Sequence, residues 1–196
     1  MKKSLLLIVM LSIVITNQTN AQSKVGIKGG LNLSKLTILN EPDNYTSPDM
    51  DYRTSFHIGG FWNIPLNEKL FVQPELQYSN KGVKSQGYTT KLPYLVLPVM
   101  IGFKPTELLQ IEGGVELGYL LKYTAYHNDF DYGIDLGATF SITDEIKAGV
   151  RYNLGLNSIY GKEDLQFTDD NGNLIDQLIL PHRVLQFSLY YDLIKM

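Results

Sequence analysis

The chain has 196 residues, no cysteine, three histidines and a formal net charge of −3. This length allows one domain with a full core, and the lack of cysteine excludes disulfides and thiolate metal sites. The mild acidity gives no reason to expect nucleic acid as a partner.

The first 21 residues are typical of a secretory signal peptide. Lys2 and Lys3 form a charged start, residues 5–15 form an apolar stretch, and Ala21 is a small residue suited to cleavage. This stretch is shorter than the roughly 20 residues that a membrane-spanning helix needs, which favours cleavage over a retained anchor. We therefore predict a signal peptide at 1–21 and a mature domain at 22–196.

The mature chain divides into eight runs that alternate apolar and polar residues. In 145–157, Val150 and Leu154 fall on one face, and Lys147 and Arg151 fall on the other. A period of two indicates β-strands with one apolar and one polar face. In chain order, we predict strands near 24–34, 53–64, 69–80, 92–104, 108–121, 131–142, 145–157 and 182–194.

The connections between these strands alternate between long and tight. The tight ones are 65–68, 105–107 and 143–144, and the longer polar ones are 35–52, 81–91, 122–130 and 158–181. Tight turns at one end and long loops at the other are typical of outer-membrane barrels. The sequence therefore predicts an all-β fold, an eight-stranded antiparallel up-and-down transmembrane β-barrel, with the tight turns and both termini in the periplasm.

Two local features refine this topology. Asn171-Gly172 favours a type I′ turn, so we expect connection 158–181 to project as a β-hairpin beyond the barrel. Pro74 and Pro98 fall inside strands at similar heights and cannot donate to the ladder, so we expect a β-bulge there.

Glycine placement indicates which face lies inside. The polar faces carry ten glycines, namely Gly26, Gly30, Gly59, Gly102, Gly114, Gly118, Gly133, Gly137, Gly149 and Gly155, and the apolar faces carry Gly29, Gly60 and Gly113. A narrow eight-stranded barrel is short of interior volume, and glycine makes room there for long charged neighbours. We therefore place the polar face inside and the apolar face against lipid.

The aromatic residues fit two membrane girdles. Trp62, Phe71 and Phe103 lie beside the tight turns, although the alternation points Phe71 inward. Tyr78, Tyr119, Tyr123, Tyr126 and Tyr160 lie near the long-loop ends.

Four segments resemble a known family: "GIKGGLNLS", "LPYLVLPVMIGFK", "RYNLGLNSI" and "RVLQFSLYYDL". They are similar to the small PorT-like outer-membrane β-barrels of Bacteroidetes-type bacteria, with an OmpX/OmpA-like architecture, and the likeness covers essentially the whole mature chain. The resemblance implies the fold rather than an activity. Val96 stands where that family typically has a carboxylate, and Leu193 stands where its last strand usually ends on an aromatic residue.

The inward faces carry charges of both signs, which need partners because an isolated buried charge is costly. We predict an interior ion-pair network that fills the lumen, with Asp135 and Arg151 as one pair. Its members are Lys28, Glu75, Glu112, Glu116, Asp135, Lys147 and Arg151, with Lys104 and Asp192 also facing inward. The alternative is a proton or ion path along these groups.

The histidines give little sign of catalysis. His127 lies near Asp129 and Asp131 in a polar loop that could bind a metal or join a catalytic group, but an exposed loop is the better interpretation. His57 is expected to face the lumen as a satisfied hydrogen-bonding group. We therefore expect no catalytic, metal-binding or cofactor-binding residues.

These observations predict a monomeric, non-enzymatic outer-membrane protein. Its partners are outer-membrane lipid and lipopolysaccharide, together with an extracellular or envelope protein that contacts loops 35–52 and 158–181. The alternatives are a narrow porin-like channel, an accessory barrel of a protein secretion apparatus, and an enzyme that uses His127.

Overall fold

The computed structural model describes residues 22–39, 49–85, 87–122, 128–160, 166–168, 174–177 and 179–196, with only the backbone of 166–168 and 174–177. The predicted signal peptide lies outside these residues. The strands are β1 (Lys24–Leu36), β2 (Met50–Asp51), β3 (Arg53–Pro65), β4 (Leu70–Ser85), β5 (Tyr88–Phe103), β6 (Leu109–Leu120), β7 (Phe130–Ser141), β8 (Ile146–Gly155), β9 (Gln166–Thr168), β10 (Leu174–Gln177) and β11 (His182–Lys195). In this part of the chain, no helix is long and apolar enough to cross a membrane.

Eight long strands close into a barrel. Each of β1, β3, β4, β5, β6, β7, β8 and β11 pairs antiparallel with two neighbours, and β1 closes the ring by pairing with β11. The short strand β2 adds only Met50 and Asp51 to the edge of β4. The predicted eight-stranded antiparallel barrel is therefore confirmed.

Side chains hold the tight turns in place. The Asn67 Oδ1 accepts hydrogen bonds from the amides of Lys69 and Leu70 at 2.9 and 2.8 Å. The Thr143 Oγ1 accepts from the amide of Ile146 at 3.0 Å, and the Thr106 Oγ1 accepts from the amide of Leu109 at 3.0 Å. These three turns, with the start of β1 and the end of β11, form what we call the tight-turn end.

The opposite, long-loop end differs from the prediction at one connection. The expected loop 81–91 is wrong, because β4 and β5 continue to Ser85 and Tyr88 and only 86–87 lies between them. This stretch lacks the apolar and polar alternation on which the prediction relied. The arms of the predicted hairpin, β9 and β10, pair antiparallel as expected, while Asn171-Gly172 lies outside the described residues.

The two strand prolines interrupt the ladder without a bulge. Pairing between β4 and β5 stops after Pro74–Val99 and resumes at Gln77–Val96 in the same register. A bulge would have shifted that register by one residue, so the prediction is wrong. The ladder loses pairs there because proline has no amide hydrogen to donate.

The two faces of the barrel have opposite character, as predicted. Apolar side chains such as Leu136 and Ile101 stand exposed on the outside, while charged and amide side chains are buried inside. A Cβ at inward-facing Gly102 would overlap the ring of the buried Phe71, whereas at outward-facing Gly60 the nearest atom is 3.6 Å away. The inner glycines therefore do make room in a crowded lumen.

The aromatic girdles are confirmed in part. Trp62 and Phe103 are exposed on the outer face near the tight turns, and Tyr119 is exposed near the long-loop end. Phe71 points inward and is fully buried. Tyr160 is a correction, because it packs against an inner apolar cluster rather than facing lipid, and Tyr123 and Tyr126 lie outside the described residues.

Candidate functional site

The inward faces of the long strands bring charged side chains together in the lumen at three levels along the barrel axis. The predicted residues Lys28, Glu75, Glu112, Glu116, Asp135, Lys147 and Arg151 are all buried there, as is Asp192. Lys104 follows the end of β5 and lies half-buried at the mouth of the tight-turn end.

Arg151 dominates the middle level. Its Nη2 lies 2.8 Å from the Glu75 Oε1 and 2.6 Å from the Glu112 Oε1, and its Nη1 donates to the Glu75 Oε2 at 2.9 Å. Lys28 also reaches Glu75, with its Nζ 3.1 Å from the Oε2. Since β8 and β4 lie on opposite sides of the barrel, Arg151 bridges the full width of the lumen.

The upper level, nearer the long-loop end, is rich in carboxylates. The Lys81 Nζ lies 2.8 Å from both the Glu116 Oε1 and the Asp131 Oδ2. Asp135 accepts a hydrogen bond from the Asn153 Nδ2 at 2.7 Å. The predicted ion pair between Asp135 and Arg151 is present, but it is the longest of the Arg151 pairs, with 3.8 Å between the Asp135 Oδ2 and the Arg151 Nη1, because the two glutamates hold the guanidinium group more closely.

The lower level, at the tight-turn end, is rich in lysines. Asp192 binds Lys24 through its Oδ2 and Lys147 through its Oδ1, both at 2.8 Å. The Lys104 Nζ lies 5.3 Å from the centroid of the Phe71 ring. Burial, and then the positive charges of Lys24 and Lys147, lower the pKa of Lys104 below its usual value.

An apolar cluster closes the lumen above the upper level. We call it the apolar cap, and it consists of Leu36, Val83, Leu92, Tyr94, Val96, Leu120, Ile159 and Leu180. Ile159 and Leu180 come from the connections beside β8 and β11, so loop residues fold inward over the barrel mouth. Val96, which stands in place of the carboxylate that the family resemblance implied, is a fully buried member.

Sequence analysis missed three interior residues of the upper level and above it. Lys81 was assigned to a loop, and Arg53 lies at the start of β3, where it donates to the Lys81 carbonyl at 2.9 Å. The inward direction of Asp131 could have been predicted, because Asp131 lies two residues before Gly133 and four before Asp135, which both face inward. Continuing the alternation through the strand ends would have placed all three inside.

His57 is a hydrogen-bonded lumen residue, as expected. Its Nδ1 lies 2.7 Å from the Asn32 Oδ1, and its Nε2 lies 2.8 Å from the Ser188 Oγ. His182 is also buried in the lumen, and its ring packs edge-on against Tyr94. His127 lies outside the described residues. Among the residues that the structure describes, no group of three or more His, Asp or Glu side chains is arranged so that it could hold a metal ion.

A closed antiparallel barrel with a charged lumen and a lipid-compatible outer surface defines a β-barrel of the outer-membrane class. The sequence agrees, since a family model described as the outer membrane protein beta-barrel domain matches residues 17–161. The chain therefore belongs to this family.

Solved structures share the same fold at low sequence identity. The attachment invasion locus protein Ail of Yersinia pestis is 11% identical, covers 88% of this chain and 99% of its own, and has a TM-score of 0.50. Neisserial surface protein A is 10% identical, covers 87% of this chain and 99% of its own, and also has a TM-score of 0.50. No curated protein matches the chain in sequence.

Proposed function

We propose that this chain is a non-enzymatic outer-membrane protein with a side-chain-filled lumen, and that it acts through its long loops in surface interaction or envelope structure. The carrying observation is that the lumen is closed in two ways. Arg151 bridges opposite walls through Glu75, and the apolar cap covers the long-loop end. A solute therefore has no continuous path through the barrel, and contact with a protein partner falls to the outside of the barrel and its loops.

The same observation argues against the narrow channel. An eight-stranded barrel is just wide enough for side chains to fill it. Passage of an ion would require the Arg151 pairs to break and the apolar cap to open. Breaking such pairs leaves uncompensated buried charges, which is costly.

An enzyme is also disfavoured. Asn32, His57 and Ser188 form a hydrogen-bonded string that is similar in residue type to a nucleophile activated by histidine. Ser188 is only 5% exposed, and it lies inside the lumen between strands rather than in an open cleft. A substrate cannot reach this hydroxyl, so the hydrogen bonds among the three side chains are better interpreted as structural.

The difference between the two ends of the barrel indicates its orientation in the membrane. We place the tight-turn end and both termini of the chain in the periplasm, and the long-loop end outside the cell, as is typical of such barrels. The signal peptide 1–21 would direct export and then be cleaved. The closed ring of strands leaves no open barrel edge, which fits a monomer. Lipid and lipopolysaccharide surround the apolar face, while loops 35–52 and 158–181 would meet a protein partner. We also propose that the chain is a PorT-like barrel, since four of its segments resemble that family.

Recording in planar bilayers tests the closed lumen. The purified, refolded chain is expected to insert without stepwise conductance, while a porin recorded under the same conditions serves as the positive control. Reproducible single-channel steps from the wild-type chain would overturn the closed lumen in favour of the channel.

Complementation of a deletion strain tests the role of the loops. A chain in which a short Gly–Ser linker replaces 161–178 is expected not to restore the wild-type phenotype. A chain with a matched linker in the tight turn 66–69 is expected to restore the wild-type phenotype, provided that both variants reach the outer membrane. Full complementation by the first variant would contradict a role for this loop.

A further inference from the structure

The lumen opens at the tight-turn end into a pocket of about 280 Å³ that Lys24, Lys104, Lys147 and Gln110 line together with the β7–β8 turn. We propose that this pocket, called here the cationic pocket, binds a small oxyanion, namely the carboxylate or phosphate group of a solute. If the tight-turn end faces the periplasm, the solute comes from there.

The lysines of the cationic pocket are incompletely paired with carboxylates. Lys24 and Lys147 share the single carboxylate of Asp192. Among the described residues, no carboxylate lies within ion-pair distance of Lys104, whose ammonium group rests over the Phe71 ring. The carboxylates of Glu107 and Asp144 at the rim equal the remaining positive charge in number, but neither lies within ion-pair distance of the three lysines. An oxyanion inside the rim would therefore be a direct partner for ammonium groups that share one carboxylate.

The geometry of the pocket is fixed by the barrel. Lys147 and Asp192 are only 5% and 4% exposed, and the hydrogen bond that Lys147 donates to Asp192 holds both side chains in place. Glu107 and Asp144 also line the pocket, but both are exposed on turns at its rim, where water solvates them. An anion that enters past this rim meets lysine ammonium groups and the Gln110 amide, all of which can donate charge-assisted or neutral hydrogen bonds.

The position of the pocket favours a dissolved anion over a lipid headgroup. Lys147 and Gln110 lie on inward faces of β8 and β6, so the barrel wall separates them from the surrounding lipid. The cavity is also smaller than those that hold drug-sized ligands, which fits a single carboxylate or phosphate group. Burial first, and then repulsion from Lys24 and Lys147, lowers the pKa of Lys104, and a bound anion would relieve the repulsion.

Titration of the full barrel with inorganic phosphate tests the proposal. The chain is refolded in a phosphate-free maltoside detergent, and backbone amide shifts are followed by NMR at constant ionic strength. We expect saturable shifts confined to the amides around Lys104 and 141–147. Lys104→Gln is expected to weaken the apparent affinity about tenfold, the effect of losing ~1.4 kcal/mol of binding.

Lys195→Gln is the matched control, because Lys195 is an exposed lysine at the same end of the barrel, pairs with Glu145 and does not line the pocket. It is expected to change the affinity less than about twofold, well below 1 kcal/mol. Non-saturable shifts, or equal losses in both variants, would show only general electrostatics and overturn the proposal. Shifts that require nanodiscs with anionic lipid and do not occur with free phosphate would assign the pocket to a headgroup and overturn the dissolved anion.

Discussion

Arg151 joins two carboxylates from different walls of the barrel, Glu75 on β4 and Glu112 on β6. All three side chains are buried, so each charge has exchanged water for its partners. A buried ion pair contributes little net free energy to folding, because desolvation offsets most of the attraction. Removing one partner is nevertheless strongly destabilising, since the other charge stays buried without a counter-charge. Arg151 therefore fixes the positions of three strands relative to one another.

Changing Arg151 to methionine tests this role. The substitution keeps much of the side-chain volume but, among the described residues, leaves Glu112 without an ion-pair partner and Glu75 with Lys28 alone, and is expected to lower the free energy of unfolding by about 3–5 kcal/mol. Urea unfolding in lipid vesicles measures the loss, and adding Glu112→Gln should recover part of it.

The matched control is Lys195→Met. Lys195 pairs with Glu145 at 3.6 Å on the exposed tight-turn end, and its loss is expected to cost about 1 kcal/mol or less. Equal stability of the Arg151 variant and the wild-type chain would contradict an ion-pair network that supports the fold.

Gly102 and Gly60 provide a test of interior crowding with one methyl group. Gly102→Ala would place a Cβ in the space that the buried Phe71 ring occupies, so that ring must move. We expect a loss of about 1–3 kcal/mol in the free energy of unfolding, the usual cost of overpacking. Gly60→Ala meets nothing closer than 3.6 Å and should be nearly neutral, and a similar cost for both would contradict the inside–outside assignment.

The strands differ in how clearly their sequences show their limits. The ends of β3 and β8 follow the alternation closely and were predicted to within two residues. In the β4–β5 hairpin beyond residue 80, the outer face carries polar residues such as Lys84 and Lys91 instead of an apolar stripe, so the alternation does not reveal its strands. Gly82, with φ at +142°, lies in this hairpin and adopts a backbone conformation that other residues rarely do.

The lack of native cysteine makes the orientation of the hairpins directly testable. Tyr88 is 81% exposed at the tip of the β4–β5 hairpin, and Glu68 is exposed in the β3–β4 tight turn. In intact cells, a membrane-impermeant maleimide should label Tyr88→Cys and spare Glu68→Cys until the outer membrane is permeabilised. The reverse pattern would contradict the placement of the tight turns in the periplasm.

At the scale of the whole molecule, charge is unevenly distributed along the lumen. The lower level holds Lys24, Lys104 and Lys147 with one aspartate, the middle level is balanced, and the upper level holds Glu116, Asp131 and Asp135 with Lys81. The sequence allowed most of the inward charges to be predicted because alternation decides facing, but Lys24, Arg53, Lys81 and Asp131 at the strand ends were missed. It did not allow the levels or most of the partners to be predicted, because these depend on the stagger between strands that are distant in the chain.

The same limit explains the apolar cap. Leu92 and Val96 read as ordinary residues of an alternating strand, and Ile159 and Leu180 read as loop residues. Only closure of the barrel brings them over one another. The fold was thus accessible from local pattern, whereas the closed end of the lumen was not.

The central claim is that the apolar side chains face lipid and the charged ones face inward, and Trp62 tests it without any substitution. It is the single tryptophan of the chain and stands 47% exposed on the outer face near the tight turns. In vesicles of brominated phosphatidylcholine, we expect strong quenching of its fluorescence, greatest with bromines close to the headgroup, and little quenching by aqueous acrylamide. Quenching by acrylamide with no effect of brominated lipid would contradict the account.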